Sequence, residues 1–439
     1  MNTACGYKTD VIKGLVDVIN HQFETYSIDP LFPESVENLK EENLYAAPCD
    51  DRRDFRAESV LTIDGSDCKD MDDAISLSRN AFGYRLTVHI ADVAAYVPVG
   101  SELDQAAVSR ATSIYLPGFT VPMLPQVLSN NLCSLNPGVD RNTLSVIAYL
   151  DTRGKLIDSE ITKGLIRSRV KGVYSEVNRL LSGAPDERLQ RKYSQVKDEL
   201  FNMAELYELL RAERIKRGAT VKDSNKPKIT INHRGVTIRP TKEGVAENLI
   251  EEFMCLANRI VSEYLFEHNL PAIFRIQEEK NHMAAYRPVR NHHAELALES
   301  YTHFTSPIRR IADLKIHQIL TMHLAGAAND EIKTLFDTPL IDICDRATKR
   351  YRTARQVQEK CERYCYEHFF RSHRGDTYTG MLVGFDRKNR PIVQISDYNI
   401  KIIGYAIIDG KIGDRYAFKV GINDMKNEMF ASRAQRLAA

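Results

Sequence analysis

The sequence has no apolar run near the roughly 20 residues that a bilayer-spanning helix needs. Its first residues, MNTACGYKTDVIKG, lack the basic start and apolar core of a signal peptide, so we expect a cytoplasmic protein without a membrane partner. The patterns GxxxxGKS/T, HExxH and GxSxG are also missing. Their absence gives no indication of a P-loop, a zinc protease or a serine hydrolase, and we expect no nucleotide cofactor.

Cysteine is sparse, with eight residues and no CxxC pair. Cys361 and Cys365 are four positions apart in a segment of helical character, and only His368 stands nearby as a further zinc ligand. We therefore expect reduced thiols packed between helices rather than a zinc site.

Charge is nearly balanced over the 439 residues, with a net charge of +1, but it is unevenly distributed. Acids concentrate in residues 41–73, and bases concentrate in residues 211–242. This separation is typical of a metal-dependent enzyme that acts on a phosphate polymer, although a solvated charged face explains the basic tract equally simply. The bases of this tract are Arg211, Arg214, Lys216, Arg217, Lys222, Lys226, Lys228, Arg234, Arg239 and Lys242.

Periodicity predicts an α+β protein. Apolar residues recur at helical spacing, and alternating β-branched runs predict strands. After Gly375, short β-rich runs separated by Gly, Asp and Asn turns are typical of a small OB-like barrel. We expect a short N-terminal helix and linker in 1–56, a catalytic domain with trailing helices in 57–373 and the barrel in 374–439. The predicted helices are 9–25, 193–217, 245–266, 308–324 and 340–373, the predicted strands lie in 59–64, 74–97 and 143–172 with a hairpin at 228–240, and 28–57 reads as a linker.

The segment TIDGSDCKDMDDA (62–74) crowds five carboxylates between a predicted strand and its neighbour. Like charges at this density need a neutralising partner, and hard divalent cations prefer oxygen ligands. A loop at a strand end is also a common position for catalytic side chains. A solvated acidic turn is the alternative. The five are Asp64, Asp67, Asp70, Asp72 and Asp73.

A calcium-binding EF-hand loop does not fit this segment. Counted from Asp64, the fifth position is Cys68, the sixth is Lys69 where glycine is required, and the twelfth is Ile75 where glutamate is required. A magnesium site for phosphoryl chemistry remains, because one or two such ions can act on a phosphodiester. Its candidate ligands are Asp64, Asp70, Asp72 and Asp73.

Three further segments carry candidate binding residues. Ser306-Pro307 is a good helix opening, which would place Arg309 and Arg310 where phosphate binds well. In the segment 111–135, large side chains are suited to stacking on or wedging bases of a single strand, and a buried loop is the alternative. Those side chains are Tyr115, Phe119 and Met123. On the 245–266 helix, Glu251 or Glu252 could face a ligand cavity, or could lie on the solvent side.

Five motifs occur in the order TIDGSDCKDMDDAISL, HIADVAAYV, YLPGFTVPMLPQVLSNNLCSLNP, LIEEFMCLAN and YTHFTSPIRR. Together they resemble the RNB catalytic domain of the ribonuclease II family, over about residues 60–325. The resemblance implies an RNB-type mixed sheet with packed helices around an RNA channel. It also implies hydrolysis of single-stranded RNA from the 3′ end to nucleoside 5′-monophosphates, with one or two magnesium ions for which manganese can substitute.

The resemblance assigns roles to the four aspartates that match the family motif. It implies that Asp64, Asp70 and Asp73 are metal ligands. Asp72 would be the most critical catalytic residue, near the terminal 3′-hydroxyl, and Asp67 would have no part.

The resemblance also assigns the residues that contact RNA. Arg309 would contact the scissile phosphate with Arg310 assisting. Tyr115 and Tyr174 match base-stacking or clamp positions, and Glu251 matches a helix carboxylate near the terminal ribose.

The chain departs from the family pattern in three places. About fifty residues precede the catalytic segment, so we expect a compact form without the two N-terminal cold-shock domains. The span between FRIQEEK and SYTHF is short, and Gln277 replaces the usual histidine. Ile311 replaces the aromatic residue that commonly follows TSPIRR. Two other functions stay open, an RNA-binding protein without turnover and an endonuclease that cuts structured RNA.

Overall fold

The structure is a computed structural model that describes residues 10–46, 51–221, 227–232, 235–280, 282–426 and 428–437. Three bases of the predicted basic tract, Lys222, Lys226 and Arg234, lie outside these residues. Within the described ranges, none of the helices combines the length and apolar character needed to cross a bilayer.

The helices and strands follow one another along the chain with short connections. The α-helices are α1 (Asp10–Tyr26), α2 (Glu34–Glu37), α3 (Glu102–Arg110), α4 (Tyr174–Leu181), α5 (Glu187–Lys192), α6 (Lys197–Lys216), α7 (Val245–Glu267), α8 (Ile311–Leu324) and α9 (Asn329–Ser372). The strands are β1 (Arg53–Asp54), β2 (Leu61–Asp64), β3 (Asp73–Asn80), β4 (Gly83–Ala91), β5 (Ile114–Leu116), β6 (Phe119–Val121), β7 (Asp140–Asp151), β8 (Leu156–Arg167), β9 (Val170–Val173), β10 (Lys228–Asn232), β11 (Gly235–Arg239), β12 (Phe274–Ile276), β13 (Ala285–Arg287), β14 (Tyr378–Phe385), β15 (Pro391–Ile395), β16 (Ile400–Ile403), β17 (Arg415–Asn423) and β18 (Glu428–Arg436).

The centre of the molecule is a mixed seven-stranded sheet in the order β1-β8-β7-β4-β3-β2-β9. Hairpins make β3–β4 and β7–β8 antiparallel, whereas β1 runs parallel to β8 and β2 runs parallel to β9. Along β4, Leu86, Val88 and Ile90 alternate with Thr87 and His89, and all five are buried. Both faces of the sheet are therefore covered, and β2 and β3 deliver the acidic segment to one end of it.

The helices complete the core around this sheet. On α7 the predicted apolar face is buried throughout, which confirms it; its members are Leu249, Phe253, Leu256, Ile260 and Leu265. Helix α8 is buried at every position from Ile311 to Leu320, as a helix that is covered on all sides must be. Cys361 and Cys365 are buried free thiols in a cluster between α1, β5 and α9.

The five last strands close into a barrel in the order β14-β15-β16-β18-β17. Its interior is filled by buried side chains such as Leu382, Val393 and Phe418. The predicted fold class is confirmed, an α+β protein whose mixed sheet and helices are followed by a small all-β barrel. The proposed domain boundaries at 56/57 and 373/374 stay predictions.

Three predicted elements need correction. The segment 28–57, predicted as a linker, contains α2 and the strand β1, which gains a partner in β8. The helix predicted from 340 begins at Asn329 and continues through Pro339. Its apolar stripe, including Phe336 and Leu340, is buried on both sides of the proline, and this packing offsets the lost backbone hydrogen bond.

The helix predicted from 308 begins later, and Ser306 is not its N-cap. Arg310 has extended backbone angles (φ −136, ψ 126) and forms a β-bridge with Thr112. The backbone N–H of Ile311 donates to the carbonyl of Ala111, 2.9 Å away. Because this pairing holds Arg310 extended, α8 can begin only at Ile311.

Candidate active site

The acidic segment turns back on itself between two neighbouring strands of the sheet. β2 ends at Asp64, the backbone N–H of Cys68 closes a turn onto Gly65, and β3 begins at Asp73. Met71 pins the loop, because its side chain is buried and its N–H donates to the Ser134 hydroxyl at 3.2 Å. The carboxylates are thus held by a buried apolar anchor, which accounts for their position at the edge of the core.

Two carboxylates of this loop carry buried oxygen atoms without hydrogen-bond partners. They are Oδ2 of Asp64 and Oδ2 of Asp73. Burial raises the pKa of Asp64 to about 6, with the charge of Asp70 contributing. Burial and then the charge of Asp64 raise the pKa of Asp73 well above its usual value. Two buried carboxylate oxygens of like charge repel each other and lack hydrogen-bond partners. A bound cation would neutralise the repulsion and serve as their partner.

Asp72 connects this loop to a segment more than two hundred residues away. It is 4 % exposed, and it accepts a hydrogen bond from the backbone N–H of Ile308 at 2.8 Å. Its second oxygen lies 3.4 Å from Nε of Arg309. Burial raises the pKa of Asp72 to about 7, although the Arg309 charge opposes the shift. The structure therefore brings together the aspartate and the arginine that the motifs singled out.

Asp70 faces the hairpin formed by β5 and β6. The Tyr115 hydroxyl donates to Oδ2 of Asp70 at 2.7 Å, and the Cys68 thiol approaches the other oxygen at 3.7 Å. Burial, with the charge of Asp70 next, raises the pKa of Tyr115. Tyr115 is 38 % exposed, so it combines a hydroxyl fixed on Asp70 with a partly accessible side chain.

The other two large side chains of that segment differ from each other. Phe119 is 44 % exposed and its ring centroid lies 6.4 Å from that of Phe23 in α1. Met123 is completely buried, and the predicted base contact at this position is wrong because the side chain fills the core. Asp67, the fifth acid, is exposed and pairs with Lys228 at 3.0 Å.

The two adjacent arginines have different surroundings. Arg309 is partly exposed, and its Nη2 donates to the Ser306 hydroxyl at 2.8 Å. Arg310 is largely buried and forms two hydrogen bonds with the Asp313 carboxylate, at 2.8 Å and 2.6 Å. Since Asp313 is also the acceptor for the Ser306 N–H, Arg310 belongs to the support of this segment. Arg309 retains an accessible guanidinium beside Asp72.

Tyr174 and Glu251 lie in different settings. Tyr174 begins α4, and burial and the charges of Asp73 and Asp64 raise its pKa, which places it beside the acidic loop. Glu251 is half-exposed, and its carboxylate pairs with Arg214 of α6 at 2.9 Å rather than with a group of the acidic loop. Its neighbour Glu252 is buried, and burial raises its pKa to about 7.

Lys171 is a site residue that sequence reasoning missed. It lies on β9, which pairs with β2, and its ammonium donates to the Cys68 carbonyl at 2.5 Å. Its charge lowers the pKa of Asp64 against the effect of burial. The only signal in the sequence was a lysine three residues before Tyr174, and its relation to Asp64 depends on the parallel pairing of two distant strands.

The acidic loop offers mainly carboxylate oxygens. Its one soft ligand is the Cys68 thiol, and burial raises the pKa of that thiol, which disfavours the thiolate that zinc binds. Among the described residues, no three His, Cys, Asp or Glu side chains are grouped so that they could hold a metal ion. The orphaned oxygens of Asp64 and Asp73 are nevertheless compatible with magnesium. This ion is usually held by one or two carboxylates and completes its shell with water and substrate phosphate.

Comparisons with known proteins agree on the family. The family model described as RNB domain matches residues 52–285 and 281–326. Ribonuclease R of Thermotoga maritima is 36% identical over 367 residues, which are 70% of this chain and 51% of that protein. The chain spans about half the length of the curated relatives it matches most strongly.

Solved structures share the fold. Mycoplasma genitalium RNase R in complex with ribose-methylated single-stranded RNA is 24% identical and superposes with a TM-score of 0.77, over 96% of this chain and 75% of that one. Yeast Ssd1, a pseudonuclease, is 16% identical with a TM-score of 0.68, over 94% of this chain and 57% of that one. Since one of these structures is described as a pseudonuclease, the fold alone does not decide the chemistry.

Proposed function

The chain belongs to the RNB domain family, and we propose that it is a divalent-metal-dependent exoribonuclease that hydrolyses single-stranded RNA in the 3′→5′ direction to nucleoside 5′-monophosphates. The observation that carries this proposal is the juxtaposition of two chemistries. Buried carboxylates with orphaned oxygens stand beside Asp72, which contacts the partly exposed guanidinium of Arg309. Carboxylates suit a metal, and an arginine suits a phosphate.

Asp64 and Asp73 would contribute their partnerless oxygens, and Asp70 would join them, in holding one or two magnesium ions, for which manganese could substitute. Because these three carboxylates are not grouped closely enough to hold an ion in the structure, the ion would draw them together. When bound, such an ion supplies Lewis-acid stabilisation to the phosphodiester and lowers the pKa of water at the site. The raised pKa values of Asp64 and Asp73 support this role, because a cation restores the charged form of both carboxylates. Lys171 would limit the repulsion around Asp64 before a metal binds.

Arg309 would bind the scissile phosphate and stabilise the charge that develops on its oxygens. Its Nε faces Asp72, its Nη2 donates to Ser306, and the side chain is 40 % exposed, so solvent-accessible donors remain for a substrate. Asp72 would orient Arg309 and lie near the terminal 3′-hydroxyl. Arg310 would act as a positioning residue, because both of its hydrogen bonds to Asp313 support the segment that carries Arg309.

The RNA strand would contact the residues around this centre. Tyr115 would stack on a base through its exposed face while its hydroxyl holds Asp70. Tyr174 would form a wall beside Asp73, and Glu251 would lie near the terminal ribose once its pairing with Arg214 is exchanged for the substrate.

The decisive experiment follows the fragments of a 5′-labelled single-stranded RNA incubated with the protein and magnesium. A ladder that shortens from the 3′ end, together with nucleoside 5′-monophosphates on chromatography, is the expected result. Discrete internal fragments would indicate an endonuclease. Intact RNA in a slower-migrating band would indicate a binding protein without turnover, and either result would refute the proposal.

A further inference from the structure

A cavity of about 740 Å³ lies between the segment that follows β12, the strand-like residues near His303 and the middle of α9. Four cations line it, namely Arg275, Lys280, Arg352 and Arg355. None of the described residues that line it belongs to the acidic loop. The cavity is therefore separate from the acidic loop, and it is rich in groups that donate hydrogen bonds.

Arg275 is the unusual member of this cavity. It is only 6 % exposed, and its guanidinium lies between two aromatic rings, 4.5 Å from the centroid of Tyr286 and 4.7 Å from that of Tyr351. Among the described residues, its buried Nη1 has no hydrogen-bond partner. A buried guanidinium without a counter-charge is costly. The two rings offset part of this cost through cation–π contacts, and an anion in the cavity would offset the rest.

Four cations line the cavity against two carboxylates, so positive charge is in excess. The carboxylates that line the cavity belong to Glu295 and Glu359, and Glu359 is paired with Arg355 at 2.9 Å. Burial lowers the pKa of His293 to about 4 and lowers that of His303 well below its usual value. Both imidazoles are therefore neutral at pH 7, and Nδ1 of His293 has no partner either.

One wall of the cavity lies where the two matched segments of the RNB domain model overlap. The family match is broken into two pieces that meet at residues 281–285, and Lys280 and Ala284 line the cavity at this break. Gln277, which replaces the usual histidine, fixes the two sides of the wall. Its amide donates to the His282 carbonyl and accepts from the Glu295 N–H, each at 2.8 Å.

We propose that this cavity binds a phosphate group, with the sandwiched guanidinium of Arg275 as its buried anchor and Arg352 at its rim. Arginine binds phosphate oxygens with two parallel donors, and a fixed, desolvated guanidinium has little conformational freedom to lose on binding. The choice of phosphate over other anions rests on the proposed function, which supplies two sources, a phosphate of the RNA strand or a free nucleoside 5′-monophosphate.

The test measures binding in EDTA, so that the RNA stays intact. The probes are 5′-AMP, adenosine and inorganic phosphate by titration calorimetry, and a fluorescent single-stranded RNA by anisotropy. The variants are Arg275→Gln and Arg352→Ala, with Arg346→Ala as a matched control, because Arg346 is an exposed arginine of α9 that does not line the cavity. Arg352→Ala is decisive by itself if Arg275→Gln fails to fold, as judged by circular dichroism.

We expect both cavity variants to weaken binding of a phosphate-bearing probe by about tenfold or more, and the control variant and the adenosine arm to stay unchanged. A loss confined to the RNA arm identifies the strand phosphate, and a loss in the 5′-AMP arm identifies the free nucleotide. Wild-type affinity for every probe in Arg352→Ala overturns the site. Hydrolysis by the wild-type protein with magnesium is assayed separately, so a failed nuclease proposal and a failed phosphate site are distinguished.

Discussion

Replacing Asp72 with asparagine should abolish hydrolysis and at the same time stabilise the metal-free protein at alkaline pH. Asparagine keeps the shape and an acceptor for the Ile308 N–H, and it removes the charge. The wild-type carboxyl is 4 % exposed, and burial raises its pKa from 3.8 to about 7. Folding of the wild type therefore includes the cost of a buried charge that the variant does not carry.

The sign and size of the effect follow from this displaced pKa. A carboxyl whose pKa is higher in the folded protein than in the unfolded protein destabilises the fold when it deprotonates. The wild-type protein therefore has its full free energy of unfolding below pH 3.8, and it loses part of that free energy as the pH rises through about 7. Moving a pKa that far corresponds to about 4 kcal/mol when the titration is complete. Between pH 5 and pH 8, the advantage of the variant should grow by about 2–3 kcal/mol.

Urea unfolding in EDTA at pH 5 and pH 8, followed by circular dichroism, measures this difference. Asp64 and Asp73 titrate in both proteins. Because the charge of Asp72 also raises the pKa of Asp73, the difference between the proteins reports Asp72 together with this interaction. The matched control is Asp67→Asn in the same loop, because that carboxylate is exposed and paired with Lys228. The control should hydrolyse RNA at the wild-type rate and show no growth in stability between the two pH values.

Two outcomes would refute the reasoning. A stability difference that is the same at pH 5 and pH 8 would mean that Asp72 is not a buried titrating carboxyl. Wild-type hydrolysis by Asp72→Asn would remove the residue from the catalytic centre, whatever its effect on stability. If Asp72→Asn is inactive but still binds RNA in anisotropy titrations, Asp72 is needed for hydrolysis and not for binding.

Three further perturbations test particular contacts. Tyr115→Ala should weaken single-stranded RNA binding by about 1–3 kcal/mol in anisotropy titrations, and unchanged affinity would limit the residue to its hydrogen bond with Asp70. Lys315→Met should lower the free energy of unfolding by about 3–5 kcal/mol. In the wild-type protein the Lys315 ammonium lies 2.6 Å from the buried carboxylate of Asp104, and the variant leaves that carboxylate without its counter-charge. The double variant Lys315→Met with Asp104→Leu should recover most of the loss in the same denaturant assay. Met123→Ala should cost about 2–5 kcal/mol of stability while RNA affinity stays unchanged, and the opposite pattern would return this side chain to the RNA surface.

Local patterns predicted most of the fold. The apolar stripe of α7 and the long hairpin of β7 and β8 depend on residues close in sequence, so the periodicity of the sequence predicted them. The errors arose where tertiary contacts override local signals. Helix α8 begins after Arg310 because Thr112 pairs with that residue, and α9 runs through Pro339 because packing on both sides of the proline holds it.

The sequence alone predicted the acidic loop as the candidate site, since five acids in ten positions require either solvent or a cation, and the RNB motifs indicated a function for four of them. It could not determine which side chain of the rest of the chain each of those acids would meet. Asp72 meets Arg309, Asp70 meets Tyr115, and Asp67 meets Lys228, and each partner is more than forty residues away. Only the closed structure decided these pairs, because distances between remote segments depend on strand pairing and burial rather than on spacing along the chain.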